Sequence, residues 1–274
     1  MAVLTRTPRP NALAEEVVWD GESLASWSDR LDGAHAVINL TGRSISCRYT
    51  EESRREIVES RVNSVRVLGE AIAQLREPPR IWIQASGMGI YGNAGERICD
   101  EISPAGEGFL ADTCKVWEQA FADLVLPSMR KVILRFGSVL SRDGGILSSL
   151  RPLARCGLGG AAGNGRQYIS WMHKSDLNRI VEFILDHDAA SGVYNATAPE
   201  PAPNKEFMRE LRRVLQAPTS PPMPAFLVRV GAFFLGTEGE LALTGRRGIP
   251  KRFTEEGFQF QFPELGEALE DLYW

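Results

Sequence analysis

Short continuous apolar runs alternate along this chain with segments whose apolar positions recur at helical spacing. Residues 1–5, MAVLT, read as a short strand followed at once by an arginine and two prolines. HAVINLTG (35–42), RIWIQAS (80–86), KVILRFGSVLS (131–141) and GVYNATA (192–198) are apolar runs of strand length. Strands buried on both faces have this texture. In residues 50–75, Ile57, Val58, Val65, Leu68, Ile72 and Leu75 recur at helical spacing, Thr50 stands as N-cap and acids fill the first turn. TCKVWEQAFADLVL (113–126) predicts a second helix. SDLNRIVEFILDHD (175–188) predicts another, with Leu177, Ile180, Val181, Ile184 and Leu185 on one face. Strand and helix alternating at this spacing predict crossover units, hence an α/β fold with a doubly wound parallel sheet.

The texture changes after residue 198. A proline-bounded helix carries Asn204 as cap and Phe207, Leu211, Val214 and Leu215 facing inward. An apolar helix, a basic loop TGRRGIPKRF (244–253) and a final helix after FPELGEAL (262–269) follow. The expected division is residues 1–198 as the main domain and 199–274 as a small C-terminal lobe.

Composition narrows the function classes. The 274 residues are 43% hydrophobic and 24% charged, with net charge −4. That is a globular balance without the basic footprint of a nucleic-acid binder. VRVGAFFLG (228–236) is too short to span a bilayer and contains Arg229, so no membrane association is expected, and the polar, proline-rich start shows no leader. Cys47, Cys99, Cys114 and Cys156 are scattered without a C-x-x-C, which points to a cytoplasmic protein with free thiols. Three scattered histidines form no ligand cluster, so no metal is expected.

Open α/β sheets bind ligands beyond the carboxyl ends of their strands. The positions to read are therefore Arg6, residues 39–42, 86–92 and 135–138, and the loop before Asp176. At these exits VINLTG (37–42), ASGMGIYGN (85–93), LRFGSVLS (134–141) and GNGRQYISWMHKSDL (163–177) resemble an extended short-chain dehydrogenase/reductase, with its Rossmann-like fold. The glycine-rich residues 157–177, together with GRRGIPKRFTEEGFQFQFPELGEAL (245–269), are similar to the atypical nucleoside-diphosphate-sugar epimerase-like subfamily, which carries its own C-terminal domain of unknown function. Some members of that subfamily bear older cell-division-inhibitor labels.

Two departures accompany the resemblance. The family begins with a strand and a Gly-x-x-Gly-x-x-Gly loop, and residues 1–5 match its second strand. The first β-α unit is therefore expected to be missing from this chain, leaving it marginally stable on its own. The family's Tyr-x-x-x-Lys pair is also absent: counting from Glu118 places Leu110 and Cys114 there, and counting from Lys115 places Ala111 in the tyrosine position.

The resemblance implies an NADP (NADPH) site. Arg6 would suit the 2′-phosphate. Asn39, Leu40, Thr41 and Gly42 would run beneath the cofactor, and Arg61 stands where many relatives place a cofactor-side asparagine. Ser86, Arg135, Phe136 and Gly137 would lie beside the nicotinamide. Gln167, Trp171 and His173 alternate along one strand face and would line a small-molecule substrate pocket, with Arg246 meeting an anionic substrate. Ser86, Tyr91 and His173 are the acid/base candidates. Each position also has a plain structural reading: Tyr91 as a packed phenol, Asp176 as a helix cap or first-turn acid, Cys114 as a buried helix thiol. The expected function is an NADP-dependent oxidoreductase or epimerase-like protein with a nonstandard acid/base, acting on an unknown, sugar-nucleotide-like substrate and pairing as a homodimer in the manner of its superfamily. The alternative is a non-catalytic NADP-binding regulator or scaffold linked to cell division.

Overall fold

The computed structural model describes residues 1–10, 12–126 and 129–274. β1 (Ala2–Thr5) pairs in parallel with β2 (Glu15–Val18) as a separate two-stranded unit. The main sheet begins with β3 (Ala36–Asn39), and α1 (Glu51–Ile72) crosses from it to β4 (Ile81–Gly87). The expected cap is present: Thr50 Oγ1 accepts a hydrogen bond from the Ser53 backbone N–H at 3.1 Å, satisfying one of the donors a helix start leaves open. After the short β5 (Ile98–Cys99), α2 (Phe109–Ala122) leads into β6 (Arg130–Phe136).

The run KVILRFGSVLS is two strands rather than one. β6 ends at Phe136, and the chain resumes as β7 (Ser138–Leu140). Gly137 donates its N–H to Ala196 O at 2.9 Å, while Ser138 donates to Ser170 O at 2.7 Å, so the partner strand changes at the glycine. A Cβ at Gly137 would stand 2.7 Å from Ser170 O, so only glycine permits this approach. α3 (Gly145–Arg155), β8 (Tyr168–Ile169), β9 (Trp171–His173), α4 (Lys174–Asp186) and β10 (Gly192–Ala196) follow. The main sheet has the order β10-β6-β4-β3, all parallel.

Both faces of that sheet are covered, which accounts for the unbroken apolar runs. On one face Val65, Leu68 and Ile72 of α1 and Trp117 and Phe121 of α2 pack with Trp82 and Ile133. Leu4 and Val17 of the β1–β2 unit, with Trp19 and Trp27, join the same core. On the other face Ile180 and Ile184 of α4 pack with Ile81, Ile83, Val132 and Leu134. The fold is thus the Rossmann-like, doubly wound α/β class the sequence predicts.

The remaining chain forms β11 (Ala202–Pro203), α5 (Asn204–Val214), α6 (Ala225–Phe234), α7 (Glu240–Leu243), β12 (Arg247–Gly248), α8 (Lys251–Glu255) and α9 (Leu265–Tyr273). Phe207, Leu211 and Val214 point inward, against Leu269 and Leu272 of α9 and Leu140, Leu147 and Trp171 from before residue 198. Asn204 is the first residue of its helix rather than its cap, and its Oδ1 accepts from Ala162 N at 2.8 Å. α6 is apolar yet outward-facing, with Ala232 its one buried residue. β12 pairs with β5 and brings the basic loop beside the exit of β4, where a Cβ at Gly248 would overlap the Met88 methyl. Among the described residues no helix is long and apolar enough to cross a membrane.

Candidate active site at the strand exits

Parallel pairing lines up the carboxyl ends of the sheet. Ser86 pairs with Arg135, Gly87 and Ala196 both pair with Phe136, and Asn39 pairs with Gln84. These exits form one row. Arg6, the residue after β1, is exposed, and among the described residues no ion pair engages it. Asn39 is buried; its Nδ2 donates to Gln84 Oε1 at 3.0 Å and its Oδ1 accepts from Thr41 N at 3.0 Å, which turns the chain out of β3. Leu40 is exposed on that turn. Gly42 lies against Arg61: a Cβ there would stand 3.0 Å from the guanidinium carbon. Arg61 donates to Arg43 O and Ile57 O at 3.0 and 2.8 Å and lies over the Trp117 ring at 5.0 Å.

A buried polar network underlies the exits of β4 and β6. Ser86 Oγ donates to Glu118 Oε1 at 2.6 Å. Arg135 grips the same carboxylate with two bonds, Nε to Oε1 at 2.9 Å and Nη2 to Oε2 at 2.8 Å. Its Nη1 donates to Tyr91 Oη at 2.8 Å. That phenol lies 2.8 Å from both Asn195 Oδ1 and Asp100 O, which share its one proton. Glu101 Oε1 accepts from Asn195 N at 3.1 Å and Arg252 N at 3.3 Å, tying the network to α8. Burial pushes the Tyr91 hydroxyl up to about 12, outweighing the opposing Arg135 charge. Burial acts against the Arg135 charge, but the Glu118 bonds and charge overcome it and raise its pKa. Tyr91 and Ser86 are therefore brought together with Arg135, but each is engaged within the network. Of the hubs, Glu118 served in the sequence only as a counting mark for the absent Tyr-x-x-x-Lys pair, and Asn195 had no signal beyond being a polar residue in an apolar run.

Gln167, Trp171 and His173 are buried but separate in their partners. β8 and β9 break at Ser170, so the expected regular alternation does not run through them. Gln167 Nε2 donates to Ala162 O and Ala242 O at 2.9 and 2.7 Å, and Trp171 Nε1 donates to Glu200 O at 2.9 Å. His173 is the N-cap of α4: its Nδ1 accepts from Ser175 N at 3.2 Å, which leaves the proton on Nε2. Nε2 stands at ion-pair distance, 3.3 Å, from Asp271 Oδ2 of α9, without an aligned hydrogen bond. The ring packs on Phe262 at 4.1 Å between centroids. Burial lowers the His173 pKa, and this outweighs the nearby Asp271 and Asp176 charges. Asp176, in the first turn of α4, is fully buried and accepts backbone N–H groups from Gln261 at 2.7 Å and Phe262 at 2.9 Å.

α2 offers neither phenol nor amine to the exits. Leu110 and Cys114 face Gly89, and Cys114 Sγ lies 3.6 Å from Gly87 O. Burial raises the Cys114 pKa, so the thiol stays neutral. Arg246, just before β12, is half-buried and donates Nε to Gly92 O at 3.3 Å. Among the described residues no group of histidine, cysteine and carboxylate side chains could hold a metal.

Known proteins are similar to this chain in sequence and fold. A family model described as a domain of unknown function matches residues 223–272. An epimerase family protein of Mycobacterium leprae is 37% identical over 270 residues, covering 98% of this chain and 86% of the relative. The crystal structure of human epimerase family protein SDR39U1 with NADPH superposes with a TM-score of 0.85 at 32% identity, covering 98% of this chain and 89% of that one. The nucleoside-diphosphate sugar epimerase of Corynebacterium glutamicum superposes with a TM-score of 0.75 at 29% identity, covering 98% of this chain and 52% of that one.

Proposed function

This chain belongs to the epimerase family with a Rossmann-like short-chain dehydrogenase/reductase fold, and we propose on that premise that it is an NADP-dependent oxidoreductase or epimerase-like enzyme. The observation that carries the cofactor choice is Arg6, an exposed guanidinium directly after β1 with no ion pair among the described residues. A cation there suits a 2′-phosphate, where an acid would suit a ribose hydroxyl. The human relative solved with NADPH supports the same choice.

The residues fit such a cofactor. Residues 39–42 turn out of β3 with an exposed Leu40, giving apolar surface along that exit. Arg135 and Phe136 end β6 beside Ser86 and Gly87, and Gly137 follows them. When bound, the nicotinamide supplies or accepts a hydride. The chain's own part is to hold a substrate carbonyl or alcohol against these exits and to exclude water. Residues 199–274 contribute Arg246 to that pocket and close it from the side of β12. The Glu118–Arg135 pair holds Ser86 in place, so the acid/base role falls to a group with a proton free to move.

A second reading, a non-catalytic NADP-binding regulator, is favoured by one observation: Ser86, Tyr91 and His173 are each committed to bonds within the protein. Titration of the 274-residue chain with NADPH and NADH, followed by nicotinamide fluorescence, tests the cofactor. Assay against carbonyl compounds and sugar nucleotides separates the two readings. Saturable NADPH binding with turnover supports the enzyme, and binding without turnover supports the regulator. Failure of both cofactors to bind defeats both readings for this chain.

A further inference from the structure

Two half-buried arginines lie near the strand exits without a carboxylate partner among the described residues. Arg61 bonds to carbonyls at Arg43 and Ile57, and Arg246 bonds to the carbonyl of Gly92. Buried charges are ordinarily paired, because desolvating a lone ion is costly. Burial lowers the pKa of both guanidiniums, and the charges that would oppose it are those of the Cys114 and Tyr49 side chains, with Cys99 also acting on Arg246. Cys114 is held neutral by burial. Burial likewise pushes Tyr49 up to about 12. The carboxylates nearby are engaged elsewhere: Glu238 Oε1 accepts the Tyr49 backbone N–H at 2.7 Å and Glu118 is held by Arg135, and neither pairs with Arg61 or Arg246.

Tyr49 completes the arrangement. Its hydroxyl is buried and has no hydrogen-bond partner among the described residues. Its ring packs edge-on against Phe109 at 4.9 Å, while Arg61 lies over Trp117 at 5.0 Å. Phe109 and Trp117 stand two turns apart on α2, with Cys114 between them. Tyr49, just before the Thr50 cap, and Arg61, in the middle of α1, therefore bracket the stretch of α2 that faces Gly87 and Gly89. Arg246, just before β12, bonds to the carbonyl of Gly92, whose own N–H donates to Gly89 O at 2.9 Å, on the turn that Cys114 faces. A buried hydroxyl without a partner is costly, and an oxyanion accepting its hydrogen bond would also give the unpaired guanidiniums a counter-charge.

We propose that Tyr49 donates its hydroxyl hydrogen bond to an oxyanion of the substrate, a carboxylate or phosphoryl group, that Arg61 and Arg246 hold over Cys114. In assigning that oxyanion to the substrate, the inference rests on the enzyme reading above. The phenol stays protonated at neutral pH and is the donor, and the two guanidiniums supply the charge.

Calorimetric titration of the full chain with pyrophosphate, UDP and pyruvate, each with and without saturating NADPH, tests this. Saturable binding is expected, weakened about tenfold or more by Tyr49→Phe and by Arg246→Met, with NADPH affinity unchanged in Tyr49→Phe. Tighter UDP and pyrophosphate binding assigns a phosphoryl substrate, and tighter pyruvate binding a carboxylate. Absence of saturable binding by every probe overturns the proposal, as does full affinity in both variants. Displacement of the anion by stoichiometric NADPH also overturns it, because the arginines would then serve the cofactor. Failure of NADPH alone to bind defeats the cofactor reading and leaves the anion titration standing. If either variant misfolds, phenylglyoxal labelling of the wild-type chain decides: the probe must protect Arg61 and Arg246, and undiminished labelling overturns the proposal.

Discussion

Glu118 and Arg135 meet through two parallel hydrogen bonds of 2.9 and 2.8 Å beneath the exit of β4, with side chains 12% and 10% exposed. The pair joins α2 to β6 and fixes Ser86 at the same carboxylate. Replacing one partner leaves a buried charge uncompensated. Glu118→Gln is therefore expected to destabilise the protein by about 3–5 kcal/mol. Thermal unfolding would show a fall of roughly 6 °C or more in Tm. A Tm within the wild-type error would mean the pair contributes little.

His173 makes stability sensitive to acid. Its folded pKa is lowered by burial, so the folded state keeps it neutral while the unfolded chain takes up a proton near pH 6.5. Stability is full above that pH and falls as pH drops below it. Asp271 and Asp176 partly favour the charged form, and Lys174 opposes it. His173→Asn keeps a helix-capping oxygen without the titration. Urea midpoints between about pH 7 and 5 should fall less in the variant than in wild type; parallel curves would exclude His173 as the source.

Asp176 holds the C-terminal segment by two backbone N–H groups, those of Gln261 and Phe262. Asparagine has one acceptor oxygen and would present its amide to the other N–H. Asp176→Asn should cost roughly 2–3 kcal/mol. Hydrogen exchange should accelerate first at the Gln261 and Phe262 amides. Unchanged protection there would contradict the anchoring role.

Arg6 sets cofactor preference under the proposed function. Arg6→Ala should weaken NADPH binding about 10- to 100-fold and leave NADH binding unaltered. Fluorescence titration with both cofactors reads this directly. An equal loss for both would remove Arg6 from the 2′-phosphate.

Much of the fold was legible because local forces write it. The apolar runs gave the buried parallel strands, and Thr50 gave the start of α1. The break at Gly137 was not legible, since it depends on the Ser170 carbonyl arriving from a distant strand. The strand exits were correctly placed by the same runs. The engagements of the side chains there were not: Ser86 carries no mark that its hydroxyl meets Glu118, nor Tyr91 that it meets Asn195.

The sequence by itself determined the α/β class, the helices α1, α2, α4, α5, α6 and α9 and the row of exits, because hydrophobic period and capping act between near neighbours along the chain; it left α3 and α8 unpredicted. Tertiary structure alone decided which polar groups are paired and which are left over. His173, a candidate acid/base by sequence, became a helix cap against Asp271. Tyr49, unremarked by sequence, became the buried phenol without a partner. Pairing of a buried polar atom depends on what the rest of the fold brings within about 3 Å, and no spacing along the chain encodes that.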